Sequence, residues 1–142
     1  TRARELHLVN TNFVDASGID PRNVSTAREV AALAEAAFTF EPIQKNTTTV
    51  TKDIQALNEE NARRLKSTNW MLSYPEYDDV YVTAGKTGYL EESGWNLVVR
   101  LRPSASEKQK ELTIVTFNSA SRGDSFKDAE ALARWVWDDF IY

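Results

Sequence analysis

A chain of 142 residues is one domain's worth of polypeptide, long enough to bury roughly two-thirds of its unfolded surface. Its 42% apolar and 27% charged residues are those of an ordinary globule, and a formal net charge of −4 leaves no basic footprint for nucleic acid or an anionic membrane surface. The lack of cysteine excludes disulfides and thiolate metal sites, and a single histidine, His7, excludes a multi-histidine metal site within this chain.

No signal peptide, transmembrane run, internal repeat or low-complexity tract is expected. Residues 1 to 6 read as the tail of a helix already under way, broken at Asn10-Thr-Asn12. Asp15-Ala-Ser-Gly18 is a turn in which Gly18 can take positive φ, ahead of Ile19-Asp20-Pro21. Ser25 or Thr26 caps the next helix, with Thr26 and Glu29 spaced as a capping box. Val30, Leu33, Ala34, Ala37 and Phe38 fall on one stripe of that helix, the face expected to be buried. Residues 38 to 44, with Pro42, end it. Asn46 to Thr51 reads as a strand. Residues 52 to 64 are polar, Ile54 and Leu57 fitting either a short strand or a helical turn. An apolar patch at Trp70, Met71 and Leu72 follows, then a loop through Tyr74-Pro75 and the acidic Glu76-Tyr-Asp-Asp79.

The next stretch, Asp79-Val-Tyr-Val-Thr-Ala-Gly-Lys-Thr-Gly-Tyr89, starts as a strand of β-branched and aromatic residues. Gly85 and Gly88 bracket Lys86 and Thr87, presenting an ammonium and a hydroxyl between two bare backbone positions. That arrangement suits a carboxylate-bearing ligand lying along a strand edge. Gly-Lys-Thr also ends a phosphate-binding loop, but position 80 is Val where that motif needs Gly. Residues 88 to 94 read as a turn rather than the helix such a loop requires. Trp95 to Arg102 and Glu111 to Asn118 make two further strands, joined by the polar residues 103 to 110. Three consecutive strands with loop connections give an antiparallel meander. Asp124 or Ser125 caps a last helix, whose apolar face is Phe126, Ala129, Ala133, Val136, Trp137 and Phe140. The fold class is therefore α+β: an antiparallel β-meander covered by helices.

Four segments, in order, carry a family resemblance. They are Asn12-Phe-Val-Asp-Ala-Ser-Gly-Ile-Asp20, Ser25-Thr-Ala-Arg-Glu-Val-Ala31, Gly85-Lys-Thr-Gly-Tyr89 with Gly94-Trp-Asn-Leu-Val98, and Ser125-Phe-Lys-Asp-Ala-Glu-Ala-Leu132. Together, from about residue 4 to the C-terminus, they resemble the serine-type D-alanyl-D-alanine carboxypeptidases, the low-molecular-mass penicillin-binding proteins. The resemblance implies the C-terminal half of a β-lactamase/DD-peptidase-like fold, so that residues 1 to 142 form a single domain or part of one. It implies that Lys86, Thr87 and Gly88 hold the terminal carboxylate of a peptidoglycan stem peptide or of a β-lactam, and that the backbone N–H of Tyr89 serves an oxyanion hole. It also implies a place outside the cytoplasmic membrane, with no cofactor.

The departure lies in the nucleophile. The family's serine belongs to a Ser-x-x-Lys motif, and no lysine here has a serine three positions before it. Ser67-Thr-Asn69 spells the family's second motif, Ser-x-Asn, but in the wrong place in the order, and reads as a coincidence. No catalytic residue is therefore assigned within the chain, whose expected partner is the missing N-terminal half of the domain. The alternative is a non-catalytic binding or oligomerisation module that keeps part of the fold. With half a sheet, an unpaired edge and uncovered apolar surface near Trp135 and Trp137 would favour self-association. Arg122-Gly-Asp124 reads as a loop leading into a capped helix rather than an adhesion motif. The adjacent acids Asp78-Asp79, Glu91-Glu92 and Asp138-Asp139 read as solvated loops.

Overall fold

Alternation of apolar and polar residues builds the sheet first. In the computed structural model, which describes residues 2–58 and 61–140, strands β3 (Tyr81–Leu90), β4 (Gly94–Arg102) and β5 (Leu112–Ser119) form an antiparallel sheet in the order β3-β4-β5. Along β4, Leu97, Val99 and Leu101 point to one face and are fully buried. They meet Phe126, Ala129 and Ala133 of helix α4 (Arg122–Asp139), together with Val82, Ile114, Met71 and Tyr77. The other face carries Ala84 and Val98, covered by Ala34, Ala37 and Phe38 of helix α2 (Ala27–Ala37) and its C-cap. The sheet thus lies between two helices, and each of its largest buried side chains stabilises the fold by about 1.5–3 kcal/mol.

Two irregularities shape the sheet. The β3–β4 register shifts at Thr83, whose hydroxyl accepts from Arg100 Nε at 2.9 Å. The β4–β5 register shifts at Asn96, whose side chain accepts from the Asn118 backbone N–H. The β3–β4 turn depends on Gly94, at φ +64°, where a Cβ would come within 2.5 Å of Asn118 Oδ1.

The remaining elements depart from expectation in instructive ways. Helix α1 (Arg2–Glu5) agrees, with Thr1 outside the described residues, and Gly18 takes the expected positive φ. Thr26 caps α2, accepting from the Glu29 N–H. The capping box closes only halfway, because the Glu29 carboxylate turns to Asn10 and Thr11 instead. Pro42 does not merely end a helix but sits in the first turn of another, α3 (Glu41–Thr47), where its missing N–H costs nothing. Asn46 to Thr51 is consequently not a strand. The hydroxyls of Thr47 and Thr48 donate to the Gln44 carbonyl and that of Thr49 to Lys45, satisfying the helix end. The polar segment after it holds a hairpin of β1 (Thr51–Ile54) and β2 (Arg63–Lys66), exposed on both faces. Short 3₁₀ turns at Trp70–Leu72 and Pro75–Tyr77 follow.

Residues 88 to 94 are only in part a turn: β3 continues to Leu90. Helix α4 starts earlier than expected, capped by Ser121 rather than Asp124 or Ser125. Ser121 accepts from the Asp124 N–H and donates to the Asp124 carboxylate, a reciprocal arrangement three residues apart. Beyond the core end of α4, Trp135 is 54% exposed, stacked edge-on against Phe140, whereas the Trp137 indole donates to the Lys110 carbonyl. The outer edge of β5 pairs with no strand among the described residues.

Candidate functional site

Lys86, Thr87 and Gly88 lie on β3, an edge strand paired on one side with β4 through Lys86↔Val98, Thr87↔Leu97 and Gly88↔Asn96. The Lys86 side chain is exposed, and its ammonium donates to the Thr87 carbonyl. Among the described residues no carboxylate pairs with it. The two bracketing glycines do different work. A Cβ on Gly85 would stand 3.3 Å from Asn69 Nδ2 and from the Val98 carbonyl, so Gly85 admits the protein's own chain. A Cβ on Gly88 would meet nothing nearer than 3.9 Å, leaving the strand open there towards solvent.

The backbone of this edge faces outward in a fixed pattern. Gly85 N–H donates away from β4, to the Thr47 hydroxyl of α3. The register runs without a shift from Ala84 to Leu90, so the period of two turns the N–H groups of Thr87 and Tyr89 outward as well. The Tyr89 ring packs against Trp95 at 4.4 Å between centroids.

Sequence reasoning missed the neighbour of this strand. Ser67 and Asn69 do local work: the Ser67 hydroxyl accepts from the Asn69 N–H, and buried Asn69 accepts from the Met71 N–H. The residue between them, Thr68, places its hydroxyl 2.6 Å from that of Thr87. A contact between residues nineteen apart in sequence leaves no periodic trace. The one available signal was Gly85, a glycine inside a strand, which marks the close approach of another chain segment. Beyond Thr68, the Trp70 ring and the Trp95 ring flank the Arg122 guanidinium at 5.8 and 4.8 Å. Arg122-Gly-Asp124 therefore belongs to the first turn of α4.

The other polar candidates are accounted for structurally. Asp79 pairs with Arg134, which also reaches Glu130. His7 is an exposed residue just past α1. Burial, with Glu76 beside it, pushes the Tyr77 hydroxyl up to about 12, keeping it neutral in the core. No cluster of three or more metal-ligating side chains occurs among the described residues. No described helix is long and apolar enough to cross a membrane.

Comparisons with known proteins identify the family and the fold. The D-alanyl-D-alanine carboxypeptidase family (peptidase S11) matches residues 1–121. The D-alanyl-D-alanine endopeptidases of Pseudomonas aeruginosa and Escherichia coli are 26% and 27% identical over 135 residues, 95% of this chain and 41% of each relative. The crystal structure of a Streptomyces DD-transpeptidase superposes with a TM-score of 0.78 at 24% identity, over 96% of this chain and 51% of that one. A Mycobacterium tuberculosis D-alanyl-D-alanine carboxypeptidase gives a TM-score of 0.73 at 18% identity, over 99% of this chain and 51% of its own. The chain spans less than half the length of these curated relatives and about half of the solved structures, and its mixed helix-and-sheet fold is theirs. It belongs to the D-alanyl-D-alanine carboxypeptidase family.

Proposed function

We propose that this chain is part of the catalytic domain of a peptidoglycan DD-peptidase and supplies the wall that grips the substrate's terminal carboxylate. The observation that carries this reading is Lys86: an exposed ammonium on an open strand edge with no carboxylate partner among the described residues. The Lys86 ammonium and the Thr87 hydroxyl donate charge-assisted hydrogen bonds to the C-terminal carboxylate of a D-alanyl-D-alanine peptide, or to the carboxylate of a β-lactam. Gly88 lets the ligand backbone lie against the strand, and the outward N–H of Tyr89 donates to the oxyanion that develops during acyl transfer. The nucleophilic serine, which attacks the peptide carbonyl and is later freed by water, comes from a Ser-x-x-Lys segment outside this sequence. Peptidoglycan lies outside the cytoplasmic membrane, so the reaction is read as taking place on the wall side of that membrane.

Labelling with a fluorescent penicillin tests the reading. The chain alone should give no covalent adduct. Joined to a polypeptide carrying the Ser-x-x-Lys half, it should become labelled, and Lys86→Ala should slow that labelling roughly 10- to 100-fold. Unchanged labelling by the Lys86→Ala protein overturns the role of Lys86. A failure of any Ser-x-x-Lys half to restore labelling points instead to a non-catalytic module.

A further inference from the structure

We infer that Thr68 is a positioning residue for ligand binding, orienting the Thr87 hydroxyl so that its proton points at the ligand's acid group. The inference rests on the reading of Lys86 and Thr87 given above and adds a residue to it.

A threonine hydroxyl has one proton to donate and two lone pairs that accept. The oxygens of Thr68 and Thr87 are 2.6 Å apart, so one donates to the other, and neither has another protein partner among the described residues. A carboxylate accepts only. If Thr87 donated to Thr68, it would have no proton left for the acid and would turn a lone pair towards it. The productive direction is therefore Thr68 O–H to Thr87 Oγ1, then Thr87 O–H to the ligand. A chain of donors in one sense also polarises its last O–H and strengthens that final bond.

Placement supports this role. Thr68 follows β2, on the exposed hairpin, yet both of its neighbours are tied down. Ser67 N–H donates to the Val50 carbonyl, and Asn69 is buried with its side chain fixed on the Met71 N–H. Asn69 also packs close to Gly85 of β3, which sets the distance between this segment and the strand. Thr68 is exposed and Thr87 half-buried, and their hydroxyl contact lies at the surface, next in the strand to the exposed Lys86 and Gly88. A hydroxyl held this way loses little freedom when the ligand arrives.

The test is a titration of the full 142-residue chain, followed by NMR, with N-acetyl-D-alanyl-D-alanine and with its C-terminal amide. The unsubstituted chain should prefer the free acid. Thr68→Val keeps the shape and removes the hydroxyl, and should weaken acid binding about three- to tenfold while leaving amide binding unchanged. Thr68→Ser should restore the preference. In the Thr68→Val/Thr87→Val double variant the loss should equal that of Thr87→Val alone, since both residues act through one bond. Two results overturn the inference separately. If Lys86→Ala and Thr87→Val reduce acid binding but Thr68→Val does not, the positioning role falls and the carboxylate site stands. If the unsubstituted chain shows no preference for acid over amide, the carboxylate site falls and this role with it.

Discussion

At the scale of single residues, the two glycines around Lys-Thr are separable by experiment. Gly85 is buried, and an added Cβ would press on the Asn69 amide, the Val98 carbonyl and Val99 Cγ2 at 3.3–3.4 Å. Of these the carbonyl belongs to the paired strand and cannot retreat without loosening β3 from β4. Gly85→Ala should therefore cost about 1–3 kcal/mol of folding stability. Gly88→Ala, whose Cβ would approach only the Asn96 side chain at 3.9 Å, should leave stability within about 0.5 kcal/mol. Its effect should fall on acid-peptide binding instead, because the ligand backbone loses its closest approach. Urea unfolding of the two variants beside their peptide titrations checks both halves of the contrast, and a Gly88→Ala protein as destabilised as Gly85→Ala would refute it. That Lys86 and Thr87 lie on a strand between two bare backbone positions was legible in the sequence, though Gly85 admits the protein's own chain and only Gly88 leaves open space. Thr68 was not legible, since its position follows from how the segment after the hairpin folds back on β3.

At the scale of elements, what could be read was what burial enforces. The strands β4 and β5 were found to within a residue because Leu97, Val99, Leu101 and Ile114 alternate into the core, and α2 because its stripe packs on Ala84 and Val98. The third helix was missed, and the hairpin left open between a short strand and a helical turn at Ile54, because burial does not specify them. Helix α3 has no buried residue and ends on threonine hydroxyls, while β1 and β2 are exposed at every position, so neither shows an apolar period. Glu29 belongs to the same lesson. Its spacing from Thr26 suggested a capping box, but its buried carboxylate receives the Thr11 hydroxyl and both the backbone and side-chain N–H of Asn10, joining the segment after α1 to α2. The Thr11 hydrogen bond, followed by those from Asn10, holds this carboxyl below its ordinary value of 4.5 despite burial, which acts to raise it. A lowered folded-state pKa means stability that is present above 4.5 and lost as the pH falls towards the folded-state value. Glu29→Gln places an amide N–H₂ among donors and should lower the melting temperature at pH 7. The gap between the two proteins should narrow as the pH is taken below 4.5. A gap that stays constant with pH would show that the carboxylate's charge contributes nothing to the join.

At the scale of the whole molecule, the sheet has two margins with different fates. The margin at β3 is partly closed by α3, through Thr47 on the Gly85 N–H, and beyond Gly85 stays open to solvent. The margin at β5 runs from Leu112 to Ser119 with no strand beside it among the described residues, and Phe117 on it is 43% exposed. Backbone donors and acceptors left in a row on an edge are a template for another strand. In relatives about twice as long, the additional chain is available to cover such surface; for this chain in isolation a second copy is the nearest supply. Trp135 and Phe140 add exposed apolar area at the far end of α4, although the expected contribution of Trp137 is absent because it packs on the core and bonds to Lys110. The purified chain should accordingly associate with rising concentration in light scattering, and association should compete with added polypeptide from the complementary half. Phe117→Lys sets a charge on the edge without entering the buried core, and should shift the chain towards monomer with a melting temperature close to that of the unsubstituted protein. A strictly monomeric chain at high concentration would show that the β5 margin is already protected in this fold. Association that persists unchanged in the Phe117→Lys protein would move the contact to α4, where Trp135→Glu is the corresponding substitution.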